Sequence, residues 1–325
     1  MIAFLLRRVM QGAAIVFAVA TLAFVLLHLA PGDPFSATLD DPRIAQSTRD
    51  QLRANYGLDR PLPEQYARYL VRVARGDFGP SYSHNRPVAD VLRAAIPNTL
   101  LLMGTALVAS LLLGVGIGVL QALRRGRAAD RALGAGSLVV ASVPDFWLAL
   151  LVMLGLAYWL PIFPISGTVT EVLYDFMSPL ERLADRLRHL ALPALTLTLV
   201  MTATIARYQR AALLEVLPED YVRTARAKGL DERAVVLRHA LRNALLPVIT
   251  IIGLAFPTLL GGAVFVEQVF SWPGMGRVAV AAFGARDYPL VLAEVIVGGM
   301  LVVVGGIIAD LLYAAADPRL RAAMR

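Results

Sequence analysis

The chain has 325 residues, 58% of them hydrophobic and only 17% charged, with a mean hydropathy of +0.64 and a formal net charge of +7. A soluble domain carries about a quarter charged residues. Burying this much apolar sequence in water would also need polar helix faces that the chain lacks. The absence of cysteine excludes disulfides, thiol catalysis and thiolate metal sites.

Apolar stretches of about twenty residues, each long enough to cross about 30 Å of hydrocarbon, recur along the whole length. They predict six spans: Val9–Ala30, Thr99–Leu120, Leu133–Tyr158, Leu190–Leu213, Leu245–Val266 and Leu290–Leu312. The chain reads as an all-α polytopic membrane protein. The first span has a signal-like start, Arg7-Arg8, and a cleavage-like Ala18-Val19-Ala20. Its apolar run continues to Ala30, however, so it is read as a retained anchor.

Residues 31–94 contain "STRDQLRANYGLDRPLPEQYARYLVRVARGDFG", two amphipathic patterns stopped by Gly57 and Gly76 with Pro61 and Pro63 between them. This predicts a small helical region outside the membrane. The second span carries "GVGIGV" (Gly114, Gly116, Gly118). With no strand before it, this is a close-packing face and no dinucleotide loop. Gly298/Gly299 and Gly305/Gly306 in the last span invite the same reading. Two acids fall in spans: Asp145, beside Pro144, and Glu294. Intramembrane acids face a cavity or a partner; the alternative places both at membrane–water boundaries.

Between the fourth and fifth spans lies "EDYVRTARAKGLDERAVVLRHALRNALLP", residues 219–247. Pro218, Glu219 and Asp220 start a helix, and the acids suit the positive end of its dipole. Arg226 and Lys228 fill its last turn, and Gly229 is a good residue just past the end. About ten residues do not make a helix stable alone in water. Tyr221, Val222, Ala225 and Leu230 form a predicted apolar stripe, flanked by Arg223, Arg226 and Lys228. Asp231 can cap a second helix, whose polar face carries Arg238, His239, Arg242 and Asn243. A capped, basic, two-part element either lies on headgroups or docks into another protein. Docking is favoured, because surface-lying helices carry bulkier apolar faces.

Enzyme chemistry finds no foothold. The one lysine, Lys228, is followed by Gly229, so no phosphate-binding loop ending in Gly-Lys-Ser/Thr exists. His28, His84, His189 and His239 are scattered, and none begins a His-Glu-x-x-His site. No catalytic, metal or cofactor residues are predicted. Of the 31 basic residues, 17 fall in the N-terminus, the 121–132 loop, the 207–242 loop and the C-terminal tail, against 5 in the two short loops opposite. The positive-inside rule then puts both termini in the cytoplasm. The net +7 belongs to this topology and to anionic lipid headgroups, not to nucleic acid.

A set of segments in order resembles one family over the whole chain: "LAPGDP" (29–34), "GLDRPLPEQYARYL", "RGDFG", "IPNTLLL", "SVPDFWLALL", "DYVRTARAKGLDERAVVLRHALRNALLP", "VFSWPGMG" and "YAAADPRLR". The chain is identified as similar to permeases of binding-protein-dependent ABC importers, of the dipeptide/oligopeptide/nickel branch. The resemblance implies a type I importer transmembrane fold in a bacterial inner membrane. It divides the chain into residues 1–30, an extracytoplasmic region 31–94, a permease domain 95–314 with a coupling loop 214–244, and a tail 315–325. It implies a second homologous permease, two ABC ATPase subunits and an extracytoplasmic substrate-binding protein as partners. It implies di- or oligopeptides as cargo, with nickel, glutathione or another small solute as alternatives. The short helix would be the coupling helix, with Asp220, Tyr221, Arg223, Thr224, Ala225, Arg226, Lys228 and Gly229 meeting the ATPase. Asp145 and Glu294, read from their place in the spans, are candidates to line that pathway. Arg223 and Thr224 stand where the general Glu-Ala-Ala-x-x-x-Gly loop has Glu and Ala, so the family's glutamate contact does not carry over. A basic helix here would suit an acidic groove rim instead.

Overall fold

Apolar length and proline placement decide most of the architecture. The computed structural model describes residues 2–29, 59–251 and 263–316, together with positions 47, 51 and 253. The predicted elements around Gly57, the middle of the Leu245–Val266 span and the tail beyond residue 316 lie outside the described residues.

The regular structure among the described residues is helical, apart from one isolated bridge pairing Pro80 and Pro87. Helix α1 (Ile2–Leu29) is followed by the amphipathic α2 (Leu62–Ala74), which ends at Arg75 with Gly76 left-handed at φ +71°. Helix α3 (Val88–Leu123) runs for 36 residues. At about 1.5 Å per residue it is longer than the hydrocarbon is thick. The predicted span Thr99–Leu120 was therefore its apolar middle, and the helix continues through Asp90 and Arg93.

The third predicted span, Leu133–Tyr158, falls on two helices, α4 (Ala128–Ser142) and α5 (Asp145–Met153), with a bend of 105° between them. Val143 is extended (φ −88°, ψ 129°) because it precedes Pro144, which disfavours helical backbone before it. A π-helical turn, Leu154–Trp159, prolongs α5. After a short α6 (Glu171–Tyr174), α7 (Pro179–Val216) begins at a complete capping box. Glu181 N–H donates to Ser178 Oγ at 3.4 Å, and Ser178 N–H donates to Glu181 Oε2 at 2.8 Å.

Further along come α8 (Asp220–Ala227), α9 (Glu232–Ala234), α10 (Leu241–Ala244), α11 (Val264–Val269), α12 (Met275–Gly284) and α13 (Tyr288–Ala316), and residues 246–251 are helical too. A π-helical turn, Val235–Ala240, joins α9 to α10. Among the described residues, four helices are long and apolar enough to cross a membrane, and the bent α4–α5 pair makes a fifth crossing if it is one span.

Glycine sets the closest packing. A Cβ on Gly114 would lie 2.7 Å from Ile205, and one on Gly118 2.7 Å from the Ala206 carbonyl oxygen, so α3 and α7 run in parallel with their backbones nearly touching. Gly298 and Gly306 behave otherwise: nothing lies within 4 Å of where their Cβ would be. Helices α1 and α13 pair antiparallel. Arg8 bridges Asp310 at 2.6 Å near one end, and the His28 and Tyr288 rings lie 6.2 Å apart at the other.

Two buried clusters mark opposite ends of the body. One joins Val88, Val91 and Leu92 at the start of α3 to Met275 and Leu290. The other joins Ala122 at the end of α3 to Leu213, Val222 and Val235. The short helix α8 thus sits at one end, and α2 with the start of α13 at the other.

Candidate functional site

Eight residues of α8 make a helix too short to hold itself, so its neighbours must. Val222 is fully buried and Ala225 nearly so, in the same cluster as Leu213, Val235 and Ala240. Burying one valine contributes about 1.5–3 kcal/mol. Asn243 Nδ2–H donates to the Tyr221 hydroxyl at 2.7 Å, tying α8 to α10. Arg226 donates to Glu232 through Nη2 at 2.8 Å and Nε at 3.0 Å, and its Nη1 reaches the Leu217 carbonyl at 3.3 Å. These hydrogen bonds from Arg226 hold the Glu232 carboxyl below its ordinary range.

The ends of α8 follow the sequence. Glu219 caps the start in extended conformation without a side-chain bond, and Asp220 falls in the first turn. Thr224 Oγ1 donates back to the Asp220 carbonyl at 2.8 Å. Gly229 is left-handed, φ +78°, and its N–H donates to the Arg226 carbonyl at 2.9 Å. Asp231 does cap the next helix, accepting from the Arg233 N–H at 3.1 Å.

The predicted stripe is half right. Val222 and Ala225 share a face, but that face is turned into the protein's own core. Tyr221 and Leu230 are exposed. Ala225 is therefore an internal anchor and no part of an outward docking surface. What α8 presents outward includes Asp220, Tyr221, Arg223, Thr224 and Arg226, with Lys228 and Gly229 just beyond its end. Arg223 has Asp220 at 3.7 Å, a contact between two exposed groups.

Beneath this element the structure adds an anchor that sequence reasoning missed. Asp130, at the start of α4, accepts from Arg210 through Oδ1 at 2.8 Å and Oδ2 at 3.0 Å, and from the Gly126 N–H at 2.9 Å. It clamps the turn after α3 onto α7. The only sequence signal was an acid inside "RRGRAADR".

The two intramembrane acids are not brought together by hydrogen bond or ion pair. Asp145 stands half-buried in the first turn of α5, after the bend. Glu294 is half-buried in α13, and its Oε1 has no hydrogen-bond partner. Two other carboxylates, unremarked in the sequence, are fully buried. Glu267 accepts from Thr99 Oγ1 at 2.7 Å and from the Arg277 N–H at 3.0 Å. Asp287 accepts from Ser81 Oγ at 2.5 Å and from Ser83 N–H at 2.9 Å. Both fasten distant segments. Among the described residues no group of histidines and acids could hold a metal ion.

The geometry is a small helix with an outward polar face, packed on the ends of two long helices, α3 and α7. Comparison with known proteins gives it a context. The family model described as binding-protein-dependent transport system inner membrane component matches residues 114–322, and the corresponding N-terminal model matches residues 1–103. The chain is 41% identical to the oligopeptide transport system permease protein AppB of Bacillus subtilis (strain 168), over 98% of this chain and 99% of the relative. It is 37% identical to the dipeptide transport system permease protein DppB of Escherichia coli (strain K12), over 99% of each. It is also 37% identical to the glutathione transport system permease protein GsiC of Salmonella paratyphi A (strain ATCC 9150 / SARB42), again over 99% of each.

Proposed function

Because this chain belongs to the inner-membrane components of binding-protein-dependent transport systems, we propose that it forms half of a pathway importing di- or oligopeptides, driven by ATPases docked on α8. It is a multi-pass permease subunit of an ABC importer and not an enzyme. ATPase and substrate-binding subunits are its partners in that class.

The finer reading is ours. A second, homologous permease completes the pathway, two ATPase subunits bind the α8 end, and an extracytoplasmic binding protein delivers cargo to the opposite end. The N- and C-termini are cytoplasmic. The division into residues 1–30, 31–94, 95–314 and 315–325, with the coupling loop at 214–244, goes with it. Peptide cargo rests on the relatives named for oligopeptides and dipeptides. Glutathione, itself a small peptide, is the second reading, favoured by the 37% identity to a permease so named.

The observation that carries the proposal is the seating of α8. Its inward face, Val222 and Ala225, packs on the end of α7 through Leu213. A partner that grips Tyr221, Arg223, Thr224 and Lys228 therefore pulls on α7, and through the Gly114 and Gly118 contacts on α3. ATP closing a dimer of ATPases moves the gripped helices and shifts the spans from inward-open to outward-open; no covalent step occurs in this chain. Asp145 and Glu294 are candidates to line the path, as half-buried carboxylates that make no ion pair among the described residues.

Charge reversal tests the grip. Arg223→Glu with Lys228→Glu, both on exposed positions, should leave the protein in the membrane. It should strip most of the ATPase from the purified complex and remove substrate-stimulated ATP hydrolysis. Full retention of both would overturn the assignment of α8. Whether labelled dipeptide or glutathione saturates uptake into vesicles decides between the two cargo readings.

A further inference from the structure

Where the C-terminal end of α1 meets the N-terminal end of α13, the amphipathic helix α2 lies against α1. The Tyr66 hydroxyl and Thr21 Oγ1 share a hydrogen bond of 2.7 Å, and the Tyr69 hydroxyl donates to the Ala20 carbonyl at 3.4 Å. The Phe24 ring stacks on Tyr69 at 5.3 Å and on His28 at 4.0 Å. Ala20, Thr21 and Phe24 belong to the apolar stretch Leu6–Leu26. Helix α2 thus packs against the C-terminal part of a membrane-length apolar stretch, and its tyrosines suit an interfacial belt.

A cavity of about 280 Å³ opens at this junction. Its lining is of two kinds: Phe24, Phe78 and Leu292 are apolar, and Arg60, Arg68 and Arg72 are basic. Arg60 and Arg68 share Glu64, at 2.6 Å and 3.0 Å. Arg72 has no carboxylate partner among the described residues. Asp77 also lines the cavity, but its Oδ1 accepts from the Gly79 N–H at 2.9 Å. Three guanidinium groups against two carboxylates, Glu64 and Asp77, leave one positive charge in surplus, and Arg72 is the guanidinium without an ion pair among the described residues. Planar guanidinium forks match the oxygens of a phosphate.

We propose that this cavity binds an anionic phospholipid. Its phosphodiester would lie against Arg68 and Arg72, and its glycerol and first acyl carbons against Phe24, Phe78 and Leu292. A free phosphate would satisfy the same arginines but leave the apolar lining residues uncovered. The cavity also lies at the ends of two membrane-length helices, where lipid is the abundant source of phosphate. A lipid held there would clip α2 to α1 and α13 and fix the attitude of the region that follows α1. None of this depends on what the protein transports.

The test uses the complete importer in nanodiscs of phosphatidylcholine with a minor share of phosphatidylglycerol, extracted into detergent and weighed by native mass spectrometry. The unaltered protein should retain phosphatidylglycerol in preference to phosphatidylcholine. Arg68→Gln with Arg72→Gln should weaken that retention roughly thirtyfold, at about one unit of headgroup attraction per arginine. Arg75→Gln, just past the end of the same helix and outside the cavity, should leave it unchanged. Excess inorganic phosphate should fail to displace the lipid. Equal retention by the unaltered protein and the double variant overturns the proposal. Displacement by inorganic phosphate also overturns it, in favour of a free-anion site. Should the double variant fail to assemble, the unaltered importer alone decides, since equal retention of the two lipids overturns it as well.

Discussion

Gly229 is held at φ +78° with nothing within 4 Å of where a Cβ would stand. Torsion, not crowding, excludes other residues here. A left-handed backbone costs a residue with a Cβ about 1–2 kcal/mol, enough to fray the end of α8 and weaken docking about tenfold. Gly229→Ala should therefore lower ATPase co-purification while the permease keeps its thermal stability. Ala225→Glu should act differently. Its carboxylate would enter the cluster of Leu213, Val222 and Val235 without a partner, at a cost of several kcal/mol. It should lower the unfolding temperature and the ATPase yield together; normal stability with lost docking would return Ala225 to the outward face. The Arg226–Glu232 pair supplies a pH test. Hydrogen bonds from Arg226 depress the Glu232 carboxyl below its usual 4.5. The pair therefore stabilises above that usual value, and its contribution fades as the pH falls through the lower folded value. Both groups are partly exposed, so the effect is under about 1 kcal/mol. The gap in unfolding temperature between the unaltered protein and Glu232→Gln, present at neutral pH, should close as the pH drops below about 4; a gap unchanged in acid would remove the ion pair from the account.

At the scale of elements, α3 and α7 meet through glycine, and not every glycine in "GVGIGV" takes part. A Cβ on Gly118 would press within 2.7 Å of the Ala206 carbonyl oxygen and of Gln209, whereas Gly116 has nothing within 4 Å. Gly118→Ala should destabilise by about 1–3 kcal/mol, because α7 backbone cannot yield. Gly116→Ala should be neutral or gain up to about 1 kcal/mol from helix propensity. Heating purified protein and following its loss by size exclusion would rank the two, and equal losses would mean that the pairing of α3 with α7 is misplaced. The packing role of this motif was legible because small residues inside an apolar run have few other uses. So were the stop at Gly229 and the cap at Asp231, since backbone torsion and local hydrogen bonds act within a few residues. The inward facing of Val222 and Ala225 was not legible. An eight-residue helix with few apolar positions does not say which neighbour covers them. The 105° bend had only Pro144 as its signal, and a proline states where a helix breaks but not how far. Glu267 and Asp287 were invisible for a plainer reason. Their hydroxyl partners, Thr99 and Ser81, stand 168 and 206 residues away in sequence.

Across the whole molecule, the two buried end clusters and the uneven spread of arginine describe the same axis. Helices α3 and α7 both run from the end that carries α2 toward the end that carries α8. The turn at 124–127, with Arg124, Arg125 and Arg127, lies at the α8 end, beside the Asp130–Arg210 clamp. The segment around Glu171 precedes the start of α7 and lies at the other. Basic residues near span ends resist translocation, so the α8 end should face the cytoplasm, which is also where ATPases could reach it. The absence of cysteine makes the orientation directly measurable. Arg125→Cys and Glu171→Cys each place a single thiol at an exposed position, one at each end. Neither replaces a residue of α8, so the proposed grip itself is left intact. In intact cells a membrane-impermeant maleimide should label the Glu171→Cys protein and leave the Arg125→Cys protein unlabelled; permeabilised cells should label both. The reverse pattern would put α8 outside, beyond the reach of any ATPase, and would end the coupling proposal at once. Labelling of both in intact cells would mean that the chain inserts in two orientations, and that its arginines do not set topology.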